Sequence, residues 1–277
     1  MDQIAARSRP RTSSSPRWPR PLVAVVLAGI LVGSAACAPS PRTPARRRAP
    51  GPPRVLVLGD STGVFLTFAL GRWNDTAKAI RLDGAAMLGC GFVTMGTEIA
   101  AGSERGFDPV CSGWVTRWKS AIAAARPDVI VVAGGFHDIT DRRLTPGGPL
   151  ERIGEPHFDD VLAFHLAVAA STAGAAGVPV LWLTTPPFAE RDVAPGGRDV
   201  HPMNDPARAV LYNQAIRRAL SGRKGQLVVD YASYMASQPG GSLDRSIRPD
   251  GMHVDGAGLD VVGRWLGFLA VFVSMWR

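Results

Sequence analysis

RVLVLGDS, at residues 54–61, joins a short apolar run to a Gly-Asp-Ser tripeptide. A continuous apolar run of this length predicts a buried strand. Ser61 would then stand at the carboxyl edge of a sheet and begin a helix, where unpaired amides and the helix dipole favour negative charge. A serine in this position is a candidate nucleophile, although a serine that follows a strand is more often a helix cap.

Outward from this stretch, strand-length apolar runs alternate with helix-length amphipathic stretches. This order predicts one α/β domain, a three-layer α/β/α sandwich with a central, mostly parallel sheet. Two long connections, residues 140–156 and 185–205, are expected to be functional or mobile. The predicted strands are 55–58, 79–82, 128–133, 178–183 and 226–229, and the predicted helices are 61–73, 112–125, 158–176, 206–220 and 256–275.

A base for Ser61 is predicted near the last helix. A serine hydroxyl is a weak nucleophile and needs a nearby base. His253 is the candidate, because it ends the motif Arg-Pro-Asp-Gly-Met-His at residues 248–253. In a turn, Asp250 could accept a hydrogen bond from one ring nitrogen while the other nitrogen faces Ser61. Asp-x-x-His is common by chance, so this prediction depends on where the two motifs lie along the fold.

A third polar motif, Gly-Gly-Phe-His-Asp at residues 134–138, follows another predicted strand. Ligands of open α/β sheets bind beyond the carboxyl ends of the strands, which marks this motif. Asp60 and Asp138 are expected to organise loops rather than transfer protons. No metal or other cofactor is expected, because no metal-ligand spacing involves the remaining histidines, His157, His165 and His201.

Together these motifs resemble the SGNH (GDSL-like) hydrolase superfamily over residues 54–277, which implies a flavodoxin-like fold. The family's Gly-Asp-Ser block matches residues 59–61, and its Asp-x-x-His block matches residues 250–253. The resemblance implies a catalytic triad. It also implies an oxyanion hole with backbone N–H groups from the nucleophile and from a glycine block. The triad would be Ser61, Asp250 and His253, and the glycine would be Gly89, with Gly91 and Gly84 as alternatives.

The family's third block departs from its pattern here. It normally reads Gly-x-Asn-Asp, whereas residues 135–138 read Gly-Phe-His-Asp. The family's asparagine donates a hydrogen bond to the oxyanion, a kind of contact worth roughly 3 kcal/mol of barrier in other serine hydrolases. His137 could donate in its place through a ring N–H, or it could be a structural histidine beneath a loop. Both alternatives stay open.

The variant third block also narrows the resemblance. Together with the Gly-Cys pair at residues 89–90 and a second cysteine just before a tryptophan, it resembles the SGNH domains fused to membrane acyltransferases that O-acetylate cell-surface sugars. The multi-span membrane portion of those proteins has no counterpart in the 277 residues. A membrane acyltransferase is therefore a candidate partner, with independent action as the alternative.

The N-terminus predicts export. Five arginines precede an uncharged run at residues 21–36, and small residues follow, which together describe a signal peptide over residues 1–37. Cys37 after two alanines resembles a lipoprotein box, and Ala-Cys-Ala at residues 36–38 also fits an ordinary cleavage site. An uncleaved membrane anchor is a third alternative. Residues 38–53 form a predicted linker rich in proline and arginine, and the domain spans residues 54–277.

Charge and cysteine usage agree with an exported domain. Residues 1–50 hold nine of the 31 basic residues and one of the 23 acidic residues, which leaves 22 of each beyond them. The folded part is formally neutral, so we expect no nucleic-acid partner. With Cys37 set aside, Cys90 and Cys111 are a pair that is expected to form a disulfide in an oxidising compartment. The alternative is two buried thiols.

These observations predict an extracytoplasmic serine esterase or O-acyltransferase, either a cell-envelope lipoprotein or a secreted protein. Its expected substrates are acylated small molecules or glycans, with O-acetyl groups of envelope glycans favoured by the resemblance. The alternative is a module that keeps the fold with weak or no catalysis and binds glycan or assists an acyltransferase. Membrane contact is expected only through the N-terminal signal or lipid, because the apolar stretch 265–276 is too short to span a bilayer.

Overall fold

The computed structural model describes residues 51–100, 103–190 and 201–276. Five parallel strands form the main sheet in the order β2-β1-β5-β7-β8, which is the strand order of flavodoxin-like folds. The strands are β1 (Arg54–Gly59), β2 (Arg81–Gly84), β3 (Thr97–Ala100), β4 (Ser103–Gly106), β5 (Val129–Ala133), β6 (Arg142–Arg143), β7 (Val180–Leu183) and β8 (Gln226–Val229), and the helices are α1 (Ser61–Ala77), α2 (Trp114–Ala125), α3 (Pro156–Gly174), α4 (Pro206–Leu220), α5 (Tyr231–Ala236) and α6 (Ala257–Ser274).

Strand β1 shows why the sheet lies between two helical layers. Successive side chains of a strand point to opposite faces. Val55 and Val57 therefore pack into a core with residues of α1 and α6, whereas Leu56 and Leu58 pack into a second core with residues of α2, α3 and α4. Both faces are apolar, so the strand reads as a continuous apolar run. The three-layer α/β/α sandwich predicted from the sequence is confirmed.

A second, smaller sheet was not predicted. It has three antiparallel strands in the order β4-β3-β6. Strand β4 is Ser-Glu-Arg-Gly and is exposed throughout, and β6 is a pair of arginines. Such segments lack the apolar alternation by which strands are recognised in a sequence. This sheet lies within the connections that follow β2 and β5, so it is close to the carboxyl edge of the main sheet.

Helix α6 is the one described helix that is long and apolar enough to cross a membrane, with a mean hydropathy of 1.5. However, 44% of it is buried inside the fold. Its buried residues Val262, Leu266, Ala270 and Val273 belong to the core beneath α1. This packing is the arrangement expected for the apolar C-terminal stretch.

Element boundaries differ from the predictions in specific places. Strand β2 begins two residues later than predicted, at Arg81, because the Asn74 side chain bonds to the backbone of Ala79 and Ile80 and holds them in the turn after α1. A 3₁₀ turn at Pro109–Gly113 precedes α2, and the short helix α5 was not predicted. The predicted signal peptide and most of the predicted linker, with Cys37, lie outside the described residues.

Candidate active site

The structure brings Ser61, His253 and Asp250 into one hydrogen-bonded chain. The Oγ atom of Ser61 lies 2.7 Å from Nε2 of His253, and Nδ1 of His253 lies 2.6 Å from Oδ2 of Asp250. Ser61 and His253 are 192 residues apart in the sequence. Ser61 begins α1 after β1, and the other two residues lie just before α6, a helix that packs against α1. This order of contacts is that of a serine nucleophile, its base and an orienting carboxylate.

Asp250 shapes the turn as well as the ring orientation. Its Oδ1 atom accepts hydrogen bonds from the backbone N–H groups of Met252 and His253, each at 2.7 Å. Partial burial acts to raise the pKa of Asp250, but these N–H groups and the His253 ring lower it overall. Asp250 is thus held as a carboxylate, which accepts a hydrogen bond from the Nδ1–H of His253 and leaves Nε2 to face Ser61.

Two further residues support this turn, and neither was predicted from the sequence. Phe65 stacks on the His253 ring, with 4.4 Å between ring centroids. Arg248 is buried and donates to the carbonyl oxygens of Met252, Pro187 and Ser242. Two signals in the sequence could have indicated them. Phe65 lies one helical turn after Ser61, and Arg248 is the first residue of the motif at residues 248–253.

Asp60 and Gly59 hold the start of α1 against the end of β5. Asp60 caps α1 by accepting from the N–H of Thr62 at 2.7 Å, and its other oxygen accepts from the N–H of Gly135 at 2.9 Å. A Cβ at Gly59, where φ is +135°, would lie 1.6 Å from the Ala133 carbonyl oxygen. Only glycine allows this approach. The loop-organising role expected for Asp60 agrees with these contacts.

The backbone amides predicted to form an oxyanion hole have no hydrogen-bond partner among the described residues. Ser61 is the first residue of α1, where an N–H has no partner within the helix. Within the part of the chain that the structure describes, the amides of Gly89 and Gly91 donate no hydrogen bond. Gly89 lies in an exposed turn, whereas Gly91 is buried and packs against Asp138 and His137. The assignment of Gly89 to the oxyanion hole stays a prediction, with Gly91 as its alternative.

Gly84 has a different setting from these two glycines. It ends β2, and a Cβ placed there would meet the side chain of Thr67 on α1 at 3.0 Å. The N–H of the next residue, Ala85, bonds to the carbonyl oxygen of Val57 in β1. Gly84 is therefore a sheet position, whereas the other two glycines lie in the loop beyond it.

His137 is buried, with 5% of its surface exposed. Its Nδ1 atom lies 3.2 Å from Oε2 of Glu98, a residue of β3 that the sequence analysis did not single out. Its carbonyl oxygen accepts from Thr140 Oγ1 at 3.0 Å and from the buried guanidinium of Arg142. His137 is thus a firmly held residue at the carboxyl end of β5. Its role as an oxyanion donor stays a prediction.

Asp138 and the disulfide hold the loop that carries the candidate glycines. The buried Asp138 carboxylate accepts from the N–H groups of Phe92 and Val93, at 3.1 and 2.9 Å. Cys90 and Cys111 form a disulfide, as predicted, which ties the same loop to the 3₁₀ turn before α2. The loop after β2 is therefore held by Asp138 and by the disulfide.

The remaining histidines lie outside this arrangement or at its edge. His157 bonds to Glu151, and His165 lies on α3. His201 is buried, and its Nε2 atom lies 3.7 Å from Oε2 of Glu190. Residues 51–100, 103–190 and 201–276 contain no group of three or more His, Cys, Asp or Glu side chains arranged to hold a metal ion.

The strand order and the geometry at its carboxyl edge define the class of protein: the chain has the SGNH-hydrolase fold. It superposes on a GDSL-like lipase from Bacteroides thetaiotaomicron with a TM-score of 0.52 and 17% identity, over 78% of this chain and 87% of that one. It also superposes on the periplasmic domain of a lipopolysaccharide acetyltransferase from Salmonella ser. Paratyphi A, with a TM-score of 0.52 and 11% identity, over 80% and 84%.

The sequence places the chain more narrowly. Residues 54–266 match the family described as "Protein of unknown function (DUF459)", and the chain belongs to this family. No curated protein sequence is significantly similar to it.

Proposed function

We propose that this chain is a serine esterase or O-acyltransferase in which Ser61 is the nucleophile, His253 the general base and Asp250 the residue that orients His253. The observation that carries the proposal is the continuous hydrogen-bonded chain from Ser61 Oγ through the His253 ring to Asp250. A histidine that bonds a serine hydroxyl through one nitrogen and a carboxylate through the other is arranged for proton transfer.

The reaction follows from these contacts. Ser61 Oγ attacks the acyl carbon of an ester as its proton passes to Nε2 of His253, and Asp250 stabilises the imidazolium. The tetrahedral intermediate then breaks its bond to the alcohol oxygen, which takes the proton from His253. The acyl group is left on Ser61. A second hydroxyl compound attacks this ester and gives its proton to His253. The tetrahedral intermediate then breaks its bond to Ser61 Oγ, which takes the proton back from His253, and the acyl group stays on the second compound.

The second hydroxyl compound distinguishes the two activities. Water makes the chain an esterase, and a sugar hydroxyl makes it a transferase. In both half-reactions the oxyanion would be held by the N–H groups of Ser61 and Gly89 and by the ring of His137.

We further propose that the substrates are O-acetyl groups of cell-envelope glycans and that the protein acts outside the cytoplasmic membrane. The predicted signal peptide at residues 1–37 supports export. The fold shared with the periplasmic domain of a lipopolysaccharide acetyltransferase supports a small acyl group on a sugar. A membrane acyltransferase is the corresponding candidate partner.

Hydrolysis of chromogenic esters by the purified protein tests the proposal. We expect turnover of acetyl esters, with lower activity on long acyl chains, and a loss of at least about 10³-fold in kcat for Ser61→Ala. Ser171→Ala is a matched control, because Ser171 is exposed on α3 and its hydroxyl bonds to the Ala167 carbonyl oxygen and the Arg223 guanidinium, away from the candidate site. If wild type and Ser61→Ala are equally inactive on acetyl esters and on acetylated glycans, the chain is instead a binding or accessory module.

A further inference from the structure

The small antiparallel sheet brings the acidic residue Glu98 into contact with His137, the histidine of the Gly-Phe-His-Asp motif. Glu98 of β3 is 1% exposed, and its Oε2 atom lies 3.2 Å from Nδ1 of His137. The same oxygen lies 3.3 Å from Thr140 Oγ1, whose one proton is shared with the His137 carbonyl oxygen, and Oε1 accepts from the Arg105 guanidinium at 2.9 and 3.0 Å. A carboxylate this deeply buried is costly unless its partners compensate for the lost hydration.

Counting hydrogen bonds identifies the protons on this histidine. Burial acts to raise the pKa of Glu98, but its contacts to His137 and Arg105 lower it overall, so Glu98 is ionised at neutral pH. An ionised carboxylate only accepts hydrogen bonds, and Nδ1 of His137 must therefore carry a proton. If Nε2 also donates to an oxyanion, the ring carries two protons and is an imidazolium.

The Nε2 atom is available for that contact. Among the described residues it makes no hydrogen bond. It is also not fully buried, so a bound group could reach it. The His137 backbone is fixed by Thr140 and Arg142, and its Cβ packs beside Gly91. The ring is therefore held at its Nδ1 side, with Nε2 left over.

We propose that Glu98 is a positioning residue that holds His137 as an imidazolium, with its Nε2–H directed at the oxyanion beside Ser61. This inference rests on the proposed function and deepens it. Glu98 and His137 together replace the neutral amide of the family's asparagine with a cationic donor. Hydrogen bonds from a charged donor are about twice as strong as neutral ones.

Other charged groups interact with His137 or with its partner Glu98. Arg142 of β6 bonds to its carbonyl oxygen, and Arg105 of β4 shares Glu98 with it. Glu190, after β7, interacts electrostatically with His137 and with Asp250. Among the residues that the structure describes, Glu98 is the one side chain that hydrogen bonds to the His137 ring.

The test is a double-mutant cycle on acetyl-ester hydrolysis. We expect Glu98→Gln to lower kcat by about 10²-fold with little change in KM, because the oxyanion contact forms mainly in the transition state. Glu104→Gln, which alters an exposed glutamate of the neighbouring strand paired with Arg143, is the matched control and should stay within about twofold of wild type.

The family's residue provides the second arm. Asparagine donates through a neutral amide and needs no carboxylate behind it. His137→Asn should therefore keep measurable activity, and adding Glu98→Gln to it should change kcat by less than about threefold. If Glu98 only supports the fold, Glu98→Gln lowers kcat equally in both backgrounds, and the proposal is overturned.

The pH profile separates charge from structure. We expect the pH dependence of kcat to differ among the wild type, Glu98→Gln and His137→Asn, because the first has a carboxylate beside the His137 ring, the second has a neutral amide there, and the third has no imidazole at position 137. An identical pH profile in all three would also overturn the proposal.

If Glu98→Gln fails to fold, ¹⁵N spectra of the wild-type histidine rings decide, with His137→Asn used for assignment. A doubly protonated His137 near neutral pH is the expected result, and a neutral ring would refute it. None of these outcomes affects the Ser61→Ala comparison, so failure of this inference and failure of the proposed function remain distinguishable.

Discussion

At the scale of single residues, Asp250 makes two kinds of contact. One carboxylate oxygen closes the turn by accepting two backbone N–H groups, and the other orients the His253 ring. Phe65 packs against the face of that ring by stacking on it. The His253 ring is therefore held by one polar and one apolar contact.

Asp250→Asn separates the electrostatic task from the structural one. An asparagine oxygen can still accept from the Met252 and His253 amides, but it supplies no charge to the imidazolium. We expect kcat for acetyl-ester hydrolysis to fall by about 10³- to 10⁴-fold, as loss of the carboxylate does in other triads, with the melting temperature nearly unchanged. Steady-state kinetics and thermal unfolding measure both quantities, and retention of more than a tenth of the activity would contradict the assigned role.

Phe65→Ala tests the apolar contact. Without the stacked ring, His253 can tilt away from Ser61, and we expect kcat to fall by about 10-fold or more, since small displacements of a catalytic group are costly. Phe68→Ala is the control, because Phe68 is 55% exposed on the same helix and touches Phe65 rather than His253. Equal effects of the two substitutions would show that the stacking has no specific role.

At the scale of elements, the loop after β2 depends on the disulfide. Cys90 lies between Gly89 and Gly91, and Cys111 lies in the turn before α2. The bond thus links the candidate oxyanion glycines to a helix that packs on the sheet. Loops of this kind are among the least stable parts of a fold unless they are tied down.

Reduction of the disulfide should lower both stability and activity. Closing a loop of 21 residues is worth about 3 kcal/mol in the chain-entropy model. For a domain of this size that corresponds to a fall of about 5–10 °C in melting temperature. Calorimetry with and without reductant measures the change in melting temperature. The melting temperature of the Cys90→Ala/Cys111→Ala variant should not depend on reductant. Two alkylatable thiols in the exported, oxidised protein would contradict the prediction.

At the scale of the whole molecule, the charge is divided unevenly along the chain. The net charge of +8 arises from residues 1–50, and the remainder is formally neutral. A basic segment ahead of an apolar run is what export signals require, whereas a basic surface on the domain would have suggested an anionic partner.

Export and anchoring can be tested through Cys37. We expect metabolic labelling with a fatty acid to label the wild-type protein and not Cys37→Ser, since lipid attachment requires the thiol. The alternative product is an unlabelled, secreted protein that begins at Pro39. Mass spectrometry of the mature N-terminus distinguishes the two, and retention of residues 1–36 would indicate an uncleaved anchor instead.

The sequence by itself determined the fold class, the parallel strands and the candidate triad. Buried parallel strands are apolar on both faces, so β1 and β5 are visible as continuous runs, and Ser61 and His253 are marked by their positions at the first strand and the last helix. The small sheet was not visible, because β4 and β6 are polar strands stabilised by pairing with β3 rather than by apolar alternation.

Only the tertiary structure decided which residues contact His137 and His253 from other elements of the fold. Glu98 is 39 residues from His137, and Phe65 is 188 residues from its stacking partner His253. No local pattern connects such pairs, because they are brought together by strand order and helix packing. The register of β3 against β6 places Glu98 opposite Arg142, and this pairing across the sheet brings a buried carboxylate to the Gly-Phe-His-Asp motif at residues 135–138.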